Sequence, residues 1–229
     1  MPWLSGVKTE DLSQLVAQRL AYVRRRLASA AAPDQNITIV AVTKGGTIEH
    51  LKAALANGLC DLGENYASDL KAKSEAASQL NLGPIRWHFQ GKLQSNKVKR
   101  LSKVVSVWQT LDSLKAAEKL ARYSPGASVF IEILMNQDPN RPGVPPAEVA
   151  DFAVSCRKFE LDVRGLMCVA RPGSQNLAEA DFKLCNQLRD IAGLDELSMG
   201  MSSDFELAVQ YGATTIRLGR ILFDPNYSI

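Results

Sequence analysis

Ile37-Thr38-Ile39-Val40-Ala41-Val42-Thr43-Lys44-Gly45-Gly46 is an apolar run that stops at a lysine and two glycines. Its length and its β-branched residues describe a strand covered on both faces, as in a parallel sheet. The amine of Lys44 is then delivered to the end of that strand. Apolar neighbours favour the neutral form of an amine, which attacks a carbonyl to give a Schiff base. The plainer reading is a strand-end lysine that reaches into water.

Outward from this run the pattern repeats. Short apolar stretches recur at 59–62, 85–91, 104–110, 128–135, 163–170, 197–200 and 214–219, and helical segments lie between them at 48–57, 67–80, 95–102, 113–123, 147–158, 176–192 and 204–211. One amphipathic helix precedes them all, apolar at Leu12, Leu15, Val16, Leu20, Val23 and Leu27, with Thr9 placed to cap it ahead of Glu10 and Asp11. Eight strands alternating with helices predict an α/β fold, a single (β/α)8 TIM barrel with an extra N-terminal helix. No Pro- or Gly-rich linker divides the chain, so residues 1–229 are read as one domain. The longest irregular stretch, 136–146, holds four prolines. It is read as a strand-to-helix loop that forms a lid or wall of the site.

Composition narrows the function classes. The chain has 229 residues, 46% hydrophobic and 22% charged, and a net charge of +3, too small to argue for nucleic acid. The basic residues Lys92, Lys97, Lys99, Arg100 and Lys103 have no interleaved aromatics to stack on bases, and are read as a solvated helix face. Cys60, Cys156, Cys168 and Cys185 show no paired spacing, and their apolar neighbours predict buried, reduced thiols. Met1 to Gly6 lack the pattern of a signal peptide, and no stretch approaches the roughly 20 apolar residues of a membrane span. A cytoplasmic protein without membrane or nucleic-acid partners is expected.

A barrel of this kind does its chemistry at the ends of its strands, where Lys44 lies. The same geometry gathers Gly63-Glu64-Asn65-Tyr66 after the second strand, His88 in the third, Ser202-Ser203-Asp204 after the seventh and Arg217-Leu218-Gly219-Arg220 at the eighth. Loops after strands seven and eight, with a helix N-terminus, commonly bind phosphate. Each feature has a structural alternative. Ser202, Ser203 and Asp204 would serve as a helix cap, Asn65 as another, His88 as a hydrogen-bonded core residue, and Arg217 as the partner of an acid inside the barrel. Taken together, a Schiff-base lysine, a phosphate cup and a buried arginine are the parts that hold pyridoxal 5'-phosphate.

The blocks Ala41-Val42-Thr43-Lys44, Leu62-Gly63-Glu64-Asn65-Tyr66, Trp87-His88-Phe89-Gln90-Gly91-Lys92-Leu93-Gln94-Ser95-Asn96-Lys97, Arg164-Gly165-Leu166-Met167, Leu197-Ser198-Met199-Gly200-Met201-Ser202-Ser203-Asp204-Phe205-Glu206 and Ile216-Arg217-Leu218-Gly219 span nearly the whole chain. In combination they resemble the pyridoxal phosphate homeostasis protein family, whose fold is similar to the barrel domain of alanine racemase. The resemblance implies pyridoxal phosphate held as a Schiff base on Lys44, with Ser202 and Gly219 at its phosphate and Arg217 near its ring nitrogen. A cation there disfavours ring protonation and so does not suit a transaminase. Asn65 and His88 belong to blocks that border the pocket. Arg220 stands where the family often has threonine or serine, leaving its backbone amide as the contact. Gly46 replaces a second lysine common in the family, and Asp224 a usual glycine. The resemblance further implies a monomeric carrier that buffers the cofactor or delivers it to pyridoxal phosphate-dependent apoenzymes. The enzyme alternative is weak racemase or lyase activity. It is disfavoured because the racemase takes its second acid/base from a further C-terminal domain, and this sequence ends just after the eighth strand.

Overall fold

The computed structural model describes residues 9–135 and 142–229. The readings of 136–141 as part of a lid, and of the first residues, lie outside them. Eight parallel strands, β1 (Thr38–Val42), β2 (Asp61–Glu64), β3 (Arg86–Phe89), β4 (Val105–Leu111), β5 (Ser128–Glu132), β6 (Asp162–Met167), β7 (Glu196–Ser198) and β8 (Thr215–Leu218), form a closed barrel in sequence order. The ring closes where β1 pairs with β8, Ala41 opposite Leu218. Closure leaves no edge strand, and the helices cover the outer face. Those helices are α1 (Thr9–Ala30), α2 (Ile48–Ala56), α3 (Ala67–Gln79), α4 (Ser95–Leu101), α5 (Leu114–Tyr123), α6 (Val149–Arg157), α7 (Gln175–Ile191), α8 (Phe205–Gln210) and α9 (Arg220–Phe223). The predicted (β/α)8 barrel is the fold that forms.

Two details differ from the sequence reading. A single helical turn, α9, follows β8, too short to carry a hydrophobic period that sequence could reveal. The leading helix α1 packs against α2, α8 and α9, filling the place in the outer ring that so short a last helix leaves open. Its buried stripe of Leu12, Val16, Leu20, Val23 and Leu27 supplies the apolar surface for that contact.

Strand parity separates two interiors. Ala41, Leu62, Trp87, Phe89, Trp108, Leu166, Leu197, Ile216 and Leu218 join the large core shared with the helices. Fully burying one such leucine contributes about 1.5–3 kcal/mol. Trp108 and Phe89 meet there edge to face with ring centroids 5.8 Å apart. Successive strand residues point to opposite faces, so His88, Gln109, Ser198 and Arg217 lie inside the barrel. A small apolar cluster of Val107, Phe130 and Met167 stands apart from the outer core. Three of the cysteines are buried as expected, but Cys60, at the entrance to β2, is exposed. No helix among the described residues is long and apolar enough to cross a membrane.

Candidate functional site

The loops after β1, β2, β3, β7 and β8 meet around a cavity of about 690 Å³ whose lining includes Lys44, Tyr66, Gln90, Ser202, Arg217 and Gly219. Lys44 stands just beyond β1. Gly45 follows with φ of 74°, a left-handed conformation that side chains resist, so the chain turns toward α2 and leaves the lysine at the mouth. Of the two readings of this lysine, the strand-end residue that reaches toward water is the one that forms: Lys44 is exposed.

Sterics account for Gly46. A Cβ there would lie 2.8 Å from His50 Cγ. His50 is itself anchored, since its Nδ1 accepts from the Thr47 amide at 3.1 Å and its ring meets Phe223 edge-on at 5.4 Å. A second lysine at position 46 therefore has no room unless His50 moves.

Across the cavity, Ser202 ties two loops together. Its Oγ accepts from the Ile221 amide at 3.1 Å, and its carbonyl accepts from the Tyr227 hydroxyl at 2.8 Å. With that oxygen already accepting, the hydroxyl hydrogen can be donated to an anion in the cavity. The turn into α8 is closed by Asp204, whose Oδ1 accepts from the Met201 amide at 2.6 Å, so capping does not explain Ser202. Burial raises the Asp204 carboxyl pKa, outweighing the Met201 amide and the charge of Arg217. Gly219 and Arg220 line the same side where α9 begins. The Arg220 guanidinium lies 5.5 Å from the Tyr227 ring centroid, so the residue borders the cavity while its side chain lies over Tyr227. Asp224 also lines the cavity and places a carboxylate near this end.

Arg217 forms part of the lining from within the barrel, only 5% exposed. Its guanidinium bonds run to serine and backbone oxygens, with the acids Asp204 and Glu132 acting on it through their charge. Nη1 donates to the Ser198 carbonyl at 2.7 Å and to Ser198 Oγ at 2.9 Å, and Nη2 donates to the Cys168 carbonyl at 2.8 Å. Burial lowers the guanidinium pKa against the opposing fields of Cys168, Asp204 and Glu132. An arginine nonetheless keeps its proton in a protein, so the cavity holds a fixed cation.

The lining brings together Lys44, Ser202, Arg217, Gly219 and Arg220, but neither Asn65 nor His88. His88 lies deeper in the barrel, its ring nitrogens bonded to Asp61 and Gln109. Asn65 Oδ1 is buried without a hydrogen-bond partner, and the N-cap position of α3 falls to Tyr66, whose side chain makes no capping bond. Sequence reasoning missed Gln90, whose buried Nε2 also has no partner. The signal was available: Gln90 is two residues past His88, on the same strand face and nearer the strand end.

Residues 15–226 match the family model described as alanine racemase, N-terminal domain. The pyridoxal phosphate homeostasis proteins of Pasteurella multocida and Homo sapiens are each 31% identical to this chain, over 93% and 99% of it and over 96% and 92% of their own lengths. The chain belongs to the pyridoxal phosphate homeostasis protein family. A solved relative, PipY of Synechococcus elongatus with pyridoxal phosphate bound, aligns with a TM-score of 0.78 at 31% identity, covering 91% of this chain and 99% of PipY. Family membership and the alanine racemase-like barrel are therefore as the sequence blocks implied.

Proposed function

We propose that this family member binds pyridoxal 5'-phosphate on Lys44 and acts in cofactor homeostasis, as a cytoplasmic monomer that stores the cofactor and yields it to dependent apoenzymes without sustained turnover. The observation that carries this reading is the convergence of Lys44, Arg217 and the Ser202–Gly219–Arg220 edge on one cavity. The donor set fits the group: an accessible amine for the aldehyde, a hydroxyl and glycine-flanked backbone for the phosphate, and a cation for the ring nitrogen. Gln90 Nε2 adds a buried donor that lacks an acceptor. The bound cofactor supplies an aldehyde that condenses with an amine, forming a C=N bond and releasing water. Arg217 keeps the ring nitrogen from being protonated, which blunts electron withdrawal from a bound amino acid. Exposure of Lys44 favours exchange of the aldehyde onto another amine.

The test is an absorption titration with pyridoxal phosphate, borohydride reduction and peptide mapping, followed by mixing loaded protein with a cofactor-free enzyme. Label on the Lys44 peptide and recovery of the second enzyme's activity support the carrier reading. Sustained conversion of alanine or serine by the loaded protein would replace it with an enzyme.

Ser202→Ala is expected to weaken cofactor retention by about 1–3 kcal/mol, the size of a charge-assisted hydrogen bond to an anion. Equilibrium dialysis after verifying thermal unfolding measures this. An unchanged affinity would place the phosphate elsewhere.

A further inference from the structure

Behind the cavity, a chain of hydrogen bonds crosses the barrel from one charge to another. Arg217 Nη1 donates to Ser198 Oγ at 2.9 Å, and Ser198 Oγ donates to Gln109 Oε1 at 2.6 Å. Gln109 Nε2 lies 2.8 Å from His88 Nδ1, and His88 Nε2 lies 2.7 Å from Asp61 Oδ1. Asp61 also pairs with Arg86 Nε at 2.9 Å. Ser198 and Gln109 are fully buried, and His88 is 2% exposed. The five linked residues come from β8, β7, β4, β3 and β2.

Donor counting fixes the direction of this chain. A guanidinium cannot accept, so the Ser198 oxygen accepts from Arg217 and its one hydrogen goes to Gln109. Gln109 must then present its carbonyl to Ser198 and its amino group to His88. Nδ1 of His88 is thereby an acceptor, and the ring proton sits on Nε2, facing Asp61. Every bond is made only while His88 is neutral in this tautomer. A proton on Nδ1 would set donor against donor, turn the Gln109 amide around, and leave the Ser198 hydroxyl facing two donors.

Resting on the cofactor reading above, we propose that Gln109 and Ser198 are positioning residues that hold the Arg217 guanidinium at the cofactor's ring nitrogen, and that they do so only while His88 is the neutral Nε2–H tautomer. The charged groups acting on His88 are Asp61 on β2, Arg86 on its own strand and Arg164 on β6. Burial lowers its pKa, and Arg86 and Arg164 add to this against the hydrogen bond and charge of Asp61. The neutral form is thus favoured in the folded protein. Its contribution to stability is present above the ordinary imidazole value of about 6.5 and is lost as pH falls toward the lowered one.

The chain has two histidines, His50 and His88, which makes nitrogen-15 histidine spectra of the cofactor-free protein readable, with His50→Gln assigning the pair. His88 is expected to carry its proton on Nε2 at neutral pH. Gln109→Leu removes both bonds and is expected to weaken pyridoxal phosphate retention roughly tenfold and shift the visible band of the bound cofactor. Gln109→Glu supplies a second acceptor to His88. It is expected to raise the His88 titration by about one pH unit or more and to reduce the loss of thermal stability below neutral pH. His50, whose pKa burial also lowers, is common to both proteins and cancels in that comparison. An Nδ1–H tautomer in the wild type, or Gln109→Leu that folds with unchanged affinity and band, would overturn the proposal. If Gln109→Leu does not fold, an unmoved His88 titration in Gln109→Glu overturns it. Wild-type protein that takes up no pyridoxal phosphate yet shows the Nε2–H tautomer would overturn the cofactor reading and the cofactor-positioning role with it, leaving the hydrogen-bond order intact.

Discussion

Lys44→Ala should take up pyridoxal phosphate without covalent capture, so that borohydride reduction fixes no label to the barrel. Lys44 is exposed at the end of β1, outside the outer core and the apolar cluster inside the barrel. Exposed substitutions of this kind usually change stability by about 0.5 kcal/mol or less, so cooperative unfolding should persist. Residual binding should remain through Ser202, the backbone at Gly219 and Arg220, and Arg217, with the spectrum of a free aldehyde. The neighbouring lysine tests specificity. Lys73 is only 8% exposed, and its amine is bonded to Glu64 and to the Thr43 carbonyl, so it should not inherit the label. Mapping the reduced variant decides the matter: label transferred to Lys73 or spread over surface lysines would mean that Lys44 is not the anchor.

What sequence could foresee here follows from what periodicity encodes. The continuous apolar run at 37–43 located β1 and set Lys44 at its end, and the break that Arg217 makes between Ile216 and Leu218 in an otherwise apolar strand pointed to an arginine inside the barrel. Face is legible in this way, but depth is not. His88 and Gln90 share a face of β3 and its continuation, yet Gln90 reaches the cavity and His88 lies below it. Cross-strand partners are equally hidden. An acid was a reasonable partner for buried Arg217, but pairing of Ser198 with Thr215 in the β7–β8 register also brings serine and carbonyl oxygens to the guanidinium. The Gln109 link required knowing that β3 and β4 pair with a shift beside His88. Exposure of Cys60 reflects a turn into β2 that its sequence neighbours do not describe.

Glu64→Ala should be the most destabilising change near the site, by roughly 3–5 kcal/mol, because it strands a buried cation. Glu64 is fully buried at the end of β2, where Oε1 accepts from Thr43 Oγ1 at 2.6 Å and from Lys73 Nζ. Lys73, on α3, also donates to the Thr43 carbonyl at 2.6 Å. These three residues bind the exit of β1 to β2 and α3, immediately before Lys44. Removing the carboxylate leaves the Lys73 ammonium with a single carbonyl as its partner. Glu64→Gln keeps a hydrogen-bond acceptor but no counter-charge, and should fall between the two. The double change Glu64→Leu with Lys73→Met removes both charges and should recover much of the loss, since a buried pair often contributes little net stability over apolar residues of similar size. Denaturant unfolding of wild type, the single variants Glu64→Leu and Lys73→Met and their double measures this coupling, with Glu64→Ala and Glu64→Gln read against the same wild type. A Glu64→Ala protein within about 1 kcal/mol of wild type would show that Lys73 escapes to solvent and does not fix the strand end. If the coupling is as large as expected, the Glu64→Gln protein should also capture pyridoxal phosphate more slowly than wild type, since the turn presenting Lys44 loses its anchor while the lysine itself is untouched.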